Sequence, residues 1–352
     1  MSMTLPGESS QSTAAGGSTV RVGIIGTGLI GTDHGRKLAG SIAGSTVAGV
    51  TDVNRARAEE VAQQLGGAHV FDSGLELIRS ESVDAVLITS IGETHAEFTL
   101  ACIDAGKPVL CEKPLAPTTP ECVRVLEAEV AFGRRLVVVG FMRRYDPGYQ
   151  AVKASLAAGS IGEALILHNI HRNQAVPESF TSFMTMTDSL IHEIDVTRWL
   201  LDEEITTVQV IPPKRTSKAF PHLQDPQFVT FTTQSGILST AEFFANCQYG
   251  YDVRCELVGS AGTASLVNPV VANQVATFAE TRPVPRDWRE RFGPAYSAEL
   301  QAWISGVQRG EAIGPSAWDG YAATRVTEFG VDAVKSGQRV EIDYIAKPAL
   351  YA

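Results

Sequence analysis

The sequence predicts two domains: an α/β domain over residues 19–141, then an α+β domain over residues 142–352 with a large, open, mostly antiparallel sheet. Three observations predict this. Short apolar runs alternate with helical runs up to about residue 141, the pattern of a parallel sheet covered on both faces. A glycine-rich turn separates the first apolar run from the first helix. Beyond residue 141 the alternation gives way to paired strand-like runs joined by glycine-bearing turns, which read as hairpins.

The strands of the first domain are "VRVGIIG", "STVAGVTDV", "VDAVLITS", "KPVLCEKP" and "RRLVVVGFM". Its helices are "HGRKLAGS", "RARAEEVAQQLG", "THAEFTLACIDAG" and "TTPECVRVLEAEVAFG", and three of them stop at a glycine. In the second domain "PGYQAVKASLAAG" reads as a helix and "EALILHNIHRN" as a strand. "QFVTFTTQSGILSTAEFFAN" and "YDVRCELVGSAGTASLV" each read as a hairpin. Helices return at "AYSAELQAWISGVQRG" and "WDGYAATRVTEFGVDAVKSG".

A length of 352 residues suits two domains. The net charge of -10, with no long Lys/Arg block, argues against nucleic acid or an anionic membrane as the partner. No run is long and apolar enough to span a membrane. Five cysteines without a C-x-x-C pair point to reduced thiols and a cytoplasmic setting. Residues 1–18 are small and polar, lack the pattern of a signal peptide, and are expected to form a disordered tail.

"GIIGTGLIG" contains Gly26-x-Gly28-x-x-Gly31 between a strand and a helix. Gly26 permits a tight turn, Gly28 lets a pyrophosphate approach the backbone, and Gly31 lets helix and strand pack closely. Leu29 and Ile30 open the helix, whose N-terminus favours an anion. Asp52 ends the second strand, where an acid binds a ribose 2′-hydroxyl. This context favours a Rossmann dinucleotide domain over a merely structural glycine turn. Asp52 would repel a 2′-phosphate, so NAD is expected, while Arg55 and Arg57 close behind keep NADP open.

Glu112, Lys113 and Pro114 stand at the C-terminal end of a buried strand, where ligands of open α/β sheets sit. Alone, such a Lys-Pro could equally be a surface turn. Further on, Asp188, His192 and Asp195 recur at spacings of four and three in a greasy segment, which places them on one helix face. Asp188 could cap that helix and His192 could be a core histidine held by Asp188 or Asp195. Asp195 itself reads as structural, paired with Arg198.

The glycine fingerprint, the strand-end "EKP" and the D-x-x-x-H of Asp188 and His192 together resemble the glucose-fructose oxidoreductase / inositol dehydrogenase / rhizopine catabolism family over nearly the whole chain after the tail. "GFMRRYDPGY", "HRNQAVPESF" and "TDSLIHEIDVTRWLL" resemble its inositol 2-dehydrogenase branch. The resemblance implies a Rossmann domain, a second domain whose open sheet forms a homo-oligomer (dimer or tetramer), and NAD-dependent oxidation of a cyclitol hydroxyl, myo-inositol to 2-keto-myo-inositol (scyllo-inosose). Scyllo-inositol or a pyranose sugar is the alternative substrate. A non-catalytic NAD-binding regulator is the alternative from another class, and it would need neither Lys113 nor His192.

By the same resemblance Lys113, Asp188 and His192 form the catalytic set. The chemistry agrees: alcohol oxidation needs a base for the hydroxyl proton, suited to His192, and a cation beside the developing alkoxide, suited to Lys113. Asp188 would orient them or the substrate. Ser90, His95, Glu112 and Lys113 are expected to join the glycine loop and Asp52 around the cofactor. Arg143, His171, Asn173 and Tyr251 are expected to join Asp188 and His192 around the substrate, with a surface salt bridge an equal reading for Arg143. His168 and His171 are spaced three apart on a strand, hence on opposite faces, so no metal site is expected. Trp288 and Trp318 read as packing or interface residues.

Overall fold

The computed structural model describes residues 18–267 and 272–352, so the expected tail lies outside the described residues except for Ser18. The first domain alternates as the sequence predicts: β1 (Val20–Ile25), α1 (Leu29–Gly40), β2 (Ser45–Thr51), α2 (Arg55–Gln64), β3 (His69–Val70), α3 (Gly74–Arg79), β4 (Ala85–Ile88), α4 (His95–Asp104), β5 (Val109–Glu112), α5 (Thr119–Phe132) and β6 (Val137–Gly140). Its sheet has the order β3-β2-β1-β4-β5-β6 with every pair parallel. β4, β5 and β6 are buried at every position, which is why they read as unbroken apolar runs. The order reverses between β1 and β4, and the crevice outside their C-terminal ends is where such sheets bind ligands. β3 and α3 are too short to leave a periodic signal and do not appear in the sequence reading.

The second domain contains α6 (Pro147–Ala157), β7 (Ala164–Arg172), α7 (Ile191–Leu201), β8 (Ile205–Ile211), β9 (Gln227–Thr233), β10 (Leu238–Phe244), β11 (Asp252–Gly259), β12 (Gly262–Ser265), β13 (Gln274–Ala276), β14 (Ala279–Thr281), α8 (Trp288–Arg309), α9 (Ala317–Ser336) and β15 (Val340–Glu341). Its seven-stranded sheet runs β12-β11-β7-β10-β9-β8-β15. Only β7 and β10 pair in parallel; β9–β10 and β11–β12 are the two expected hairpins. One face is covered by α7 and α9. Along β7, Leu167, Asn169 and His171 are buried there, while His168 is exposed on the other face beside Thr240.

α9 binds the domains together. Ser316 and Asp319 form a capping box at its start, and a continuous apolar core runs from β4, β5 and β6 past α9 to β8 and β9. The polar segment before α7 departs from the simple helix the spacing predicts. Thr185–Ser189 forms a wide π-type turn, and α7 begins only at Ile191. The turn separates Asp188 from the α7 register, so Asp188 and Asp195 serve different partners.

Candidate functional site

A cavity of about 1120 Å³ opens along the C-terminal ends of β1, β2, β4 and β5 and continues to α7 and β7. Its size exceeds what one small ligand needs and suits a dinucleotide with a substrate. The glycine loop forms one end. Gly26 adopts φ +95, and a Cβ there would stand 2.5 Å from the Ser90 nitrogen. A Cβ on Gly31 would meet the Gly26 carbonyl oxygen at 2.0 Å, so Gly31 serves packing and does not line the cavity. A Cβ on Gly28 would meet nothing within 4 Å. Gly28 is also the N-cap of α1 and offers no side-chain cap, so the first N–H groups of the helix remain available to an anion at the cavity. These are the features a pyrophosphate requires.

Asp52 lines the same end. Its Oδ2 accepts from the Thr27 N–H at 2.7 Å and the Thr27 hydroxyl at 3.0 Å, and its Oδ1 accepts from the Asn54 N–H at 2.8 Å. Partial burial opposes ionisation, but these donors and the Arg57 charge hold the carboxyl below the usual range. Arg57 lines the cavity; Arg55 turns instead to Glu59 and Asp72. Leu29, Ile30, Ser90, His95, Glu112 and Lys113 all reach the cavity wall.

At the other end Lys113, Asp188 and His192 converge although they are far apart in sequence. The Lys113 ammonium donates to Asp188 Oδ1 and to the Asp188 carbonyl oxygen, each at 3.0 Å, and the Lys113–Pro114 peptide is cis. The Lys113 charge, working against burial, holds the Asp188 carboxyl below its usual range. His192 is 8% exposed and its Nδ1 is buried without a hydrogen-bond partner, which leaves Nε2 as the nitrogen on the cavity side. Burial, then the charges of Arg143, Lys113 and His171, hold its pKa well below 6.5, so the ring is neutral at neutral pH and keeps a lone pair free to accept a proton. Neither Asp188 nor Asp195 holds this histidine.

His171, Asn173 and Tyr251 line the cavity around this end. Arg143 does not. It is buried behind the wall, paired with Glu193, with its Nη2 3.3 Å from His171 Nδ1. Glu193 Oε2 in turn lies 3.1 Å from His171 Nδ1. Burial opposes the Glu193 charge, but Arg143 and His171 hold its pKa at about 2. Both readings of Arg143, pocket residue and surface salt bridge, are therefore corrected to a buried ion pair that braces His171. Glu193 was missed because a charged residue on an apolar helix gives no sign of what it faces. Asp195 is also corrected: it pairs with Arg144, while Arg198 pairs with Glu204 and Asp319. Trp288 lines the cavity, whereas Trp318 is buried and donates to Glu204 at 3.0 Å.

One group among the described residues, His34, Glu112 and Glu299, brings three potential metal ligands together. His34 Nε2 already lies 2.9 Å from Glu112 Oε1, a hydrogen bond that occupies that nitrogen. Burial, with Glu112 and Asp195 nearby, pushes the Glu299 carboxyl well above its usual range, and both its oxygens are buried without a hydrogen-bond partner.

Residues 20–141 match the oxidoreductase family GFO_IDH_MocA, NAD-binding Rossmann fold, and residues 153–342 match its C-terminal alpha/beta domain. The chain is 51% identical over 333 residues to inositol 2-dehydrogenase 3 of Saccharopolyspora erythraea, covering 95% of this chain and 98% of that protein. It is 48% identical to inositol 2-dehydrogenase of Serratia proteamaculans, covering 95% and 99%. Among solved structures, myo-inositol dehydrogenase from Lactobacillus casei in complex with NAD(H) and myo-inositol superposes with a TM-score of 0.92 at 34% identity, covering 95% of this chain and all of that one. The glycine loop, the strand-end lysine and the two-domain sheet architecture thus have one common explanation: the chain belongs to the GFO_IDH_MocA oxidoreductase family.

Proposed function

We propose that the protein oxidises a secondary hydroxyl of a cyclitol with NAD, converting myo-inositol to 2-keto-myo-inositol (scyllo-inosose). The observation that carries this is the convergence of a neutral, buried His192 with the Lys113–Asp188 pair in the cavity that also holds the glycine loop. NAD, when bound, supplies the hydride acceptor. Gly26, Gly28, Leu29, Ile30 and Asp52 hold its pyrophosphate and ribose end, with Gly31 packing the loop; Ser90, His95, Glu112 and Lys113 flank its reacting end. His192 takes the hydroxyl proton at Nε2. The Lys113 ammonium, aimed by Asp188, stabilises the developing alkoxide. His171, Asn173 and Tyr251 hydrogen-bond the remaining hydroxyls, and Arg143 acts through His171. NAD is preferred over NADP because the Asp52 carboxylate is ionised and fixed toward the cavity, with Arg57 the nearest opposing charge.

The reading extends to assembly and setting. Ile166, Ile170, Phe228, Leu238 and Ile211 fall by register on the sheet face opposite α7 and α9, and Leu238 and Ile211 are exposed. Such a face suits a second copy of the chain, giving a dimer or tetramer. The five cysteines are unpaired and no described helix is long and apolar enough to cross a membrane, which fits a cytoplasmic enzyme. The test is NADH absorbance with purified protein, NAD or NADP, and a panel of myo-, scyllo- and chiro-inositol, glucose, galactose and xylose. Turnover of myo-inositol with NAD supports the reading. Turnover of a sugar alone overturns the substrate, and nucleotide binding without turnover of any of them overturns the enzyme in favour of a regulator.

A further inference from the structure

His95 opens α4 and lies 1% exposed in the wall of the cavity. Its Nδ1 stands 2.6 Å from the Pro114 carbonyl oxygen and its Nε2 stands 3.0 Å from the Ser90 carbonyl oxygen. Carbonyl oxygens only accept. A neutral imidazole carries a single N–H, so it would press a lone pair against one of these oxygens where water does not reach. Only the doubly protonated ring donates at both ends.

We propose that His95 is a fixed imidazolium, a positioning residue that ties the end of β4 to the Lys113–Pro114 turn and biases the cavity toward the reduced dinucleotide. The proposal rests on the reading of this cavity as an NAD site. Ser90 follows β4 and Pro114 follows Lys113, so the two hydrogen bonds span the crevice floor between neighbouring strand ends. The oxidised nicotinamide ring is a cation and the reduced ring is neutral. A fixed positive charge in the wall disfavours the first and leaves the second alone. By linkage it strengthens the pull on the hydride during alcohol oxidation.

The surroundings permit the charge. Burial works against it, while the Cys111 sulfur beside the ring and the Pro114 and Ser90 carbonyls work for it and raise the His95 pKa above the ordinary histidine range. Cys111 is the titratable group of β5 that faces the ring. Glu112 is committed to His34 and the Lys113 N–H, the Lys113 ammonium to Asp188, and Glu97 of α4 lies on the cavity wall.

The test is a long-range proton–nitrogen correlation spectrum of histidine-labelled, nucleotide-free protein at pH 7.5, with His95→Gln used to assign the signal among the seven histidines. The expected result is a ring with both nitrogens protonated; a single-tautomer pattern overturns the proposal. If His95→Gln does not fold, the wild-type pH titration decides: one buried ring must keep both protons well above the ordinary histidine range. Affinities for NAD and NADH then test the bias. His95→Gln should lower the ratio of the NAD to the NADH dissociation constant by about threefold or more, whereas equal weakening of both would reduce His95 to a structural tie. Failure of the wild type to bind either nucleotide sinks the cavity assignment, while the spectrum still decides the charge of His95.

Discussion

Replacing Arg143 with methionine tests the buried bracing of the site. Arg143 and Glu193 are 1% and 0% exposed, and the guanidinium also sits over the Phe292 ring with its carbon 5.4 Å from the centroid. Methionine keeps much of the volume and removes the charge. Glu193 would then be a buried carboxylate with only the His171 contact left. Breaking one side of such a pair costs about 3–5 kcal/mol. At roughly 1.4 °C per kcal/mol for a chain of this size, the melting temperature should fall by about 4–7 °C. The double variant Arg143→Met/Glu193→Leu should regain most of that loss, because the orphan charge is gone. Urea or thermal unfolding of both variants measures this. If Arg143 instead contacted substrate, the single variant would raise KM with stability nearly unchanged. A loss below about 1 kcal/mol in the single variant, or no recovery in the double, refutes the bracing argument.

The remaining predictions concern the chemistry and one buried acid. His192→Ala should keep NAD affinity nearly intact and lower turnover by roughly a hundredfold or more; near-normal turnover would remove His192 as the base. In the wild type the acid limb of kcat/KM should lie below pH 6.5, since burial and neighbouring cations depress the pKa of a base that must be neutral to act. A limb above 6.5 would contradict that environment. Asp52→Ser should weaken NAD binding and narrow the gap to NADP, read by isothermal titration; an unchanged preference means Asp52 does not meet the ribose. Glu299 has its folded pKa raised by burial, so its contribution to stability is complete below the ordinary carboxylate range and lost as pH rises through the folded value. Glu299→Gln should therefore gain stability over wild type toward alkaline pH, and parallel pH profiles of unfolding would show the acid is not held neutral.

What the sequence disclosed follows the range of the interactions involved. The glycine loop is local: a positive φ at Gly26 and close packing at Gly31 are requirements of one turn, so spacing alone announces them. Lys113 was legible because a strand end in an α/β sheet has a known role. Its contact with Asp188 spans 75 residues and depends on how the domains dock, which only the resemblance indicated beforehand. The helix-face argument for Asp188, His192 and Asp195 assumed a regular helix, and the π-type turn at Thr185–Ser189 broke that register. Arg143 was found as a candidate, but spacing cannot say on which side of a cavity wall a long side chain lies. Glu193 had no periodic signature, since its partners come from β7 and from the segment after β6.

The charges around His192 show why residues outside the cavity still belong to the chemistry. A buried histidine can serve as a base only if the protein makes the imidazolium unfavourable before substrate arrives and tolerable afterwards. Arg143, Lys113 and His171 supply the first condition, since each lowers the pKa of the ring. Each of these groups also contacts an acid: Glu193 meets Arg143 and His171, and Asp188 meets Lys113. The neighbouring charges are therefore compensated, and their net opposition to a proton on His192 depends on geometry more than on total charge. A variant that removes an acid should thus disturb the base more than one that exchanges both members of a pair. Glu193, which does not line the cavity, enters this balance through Arg143 and His171, the two groups it contacts.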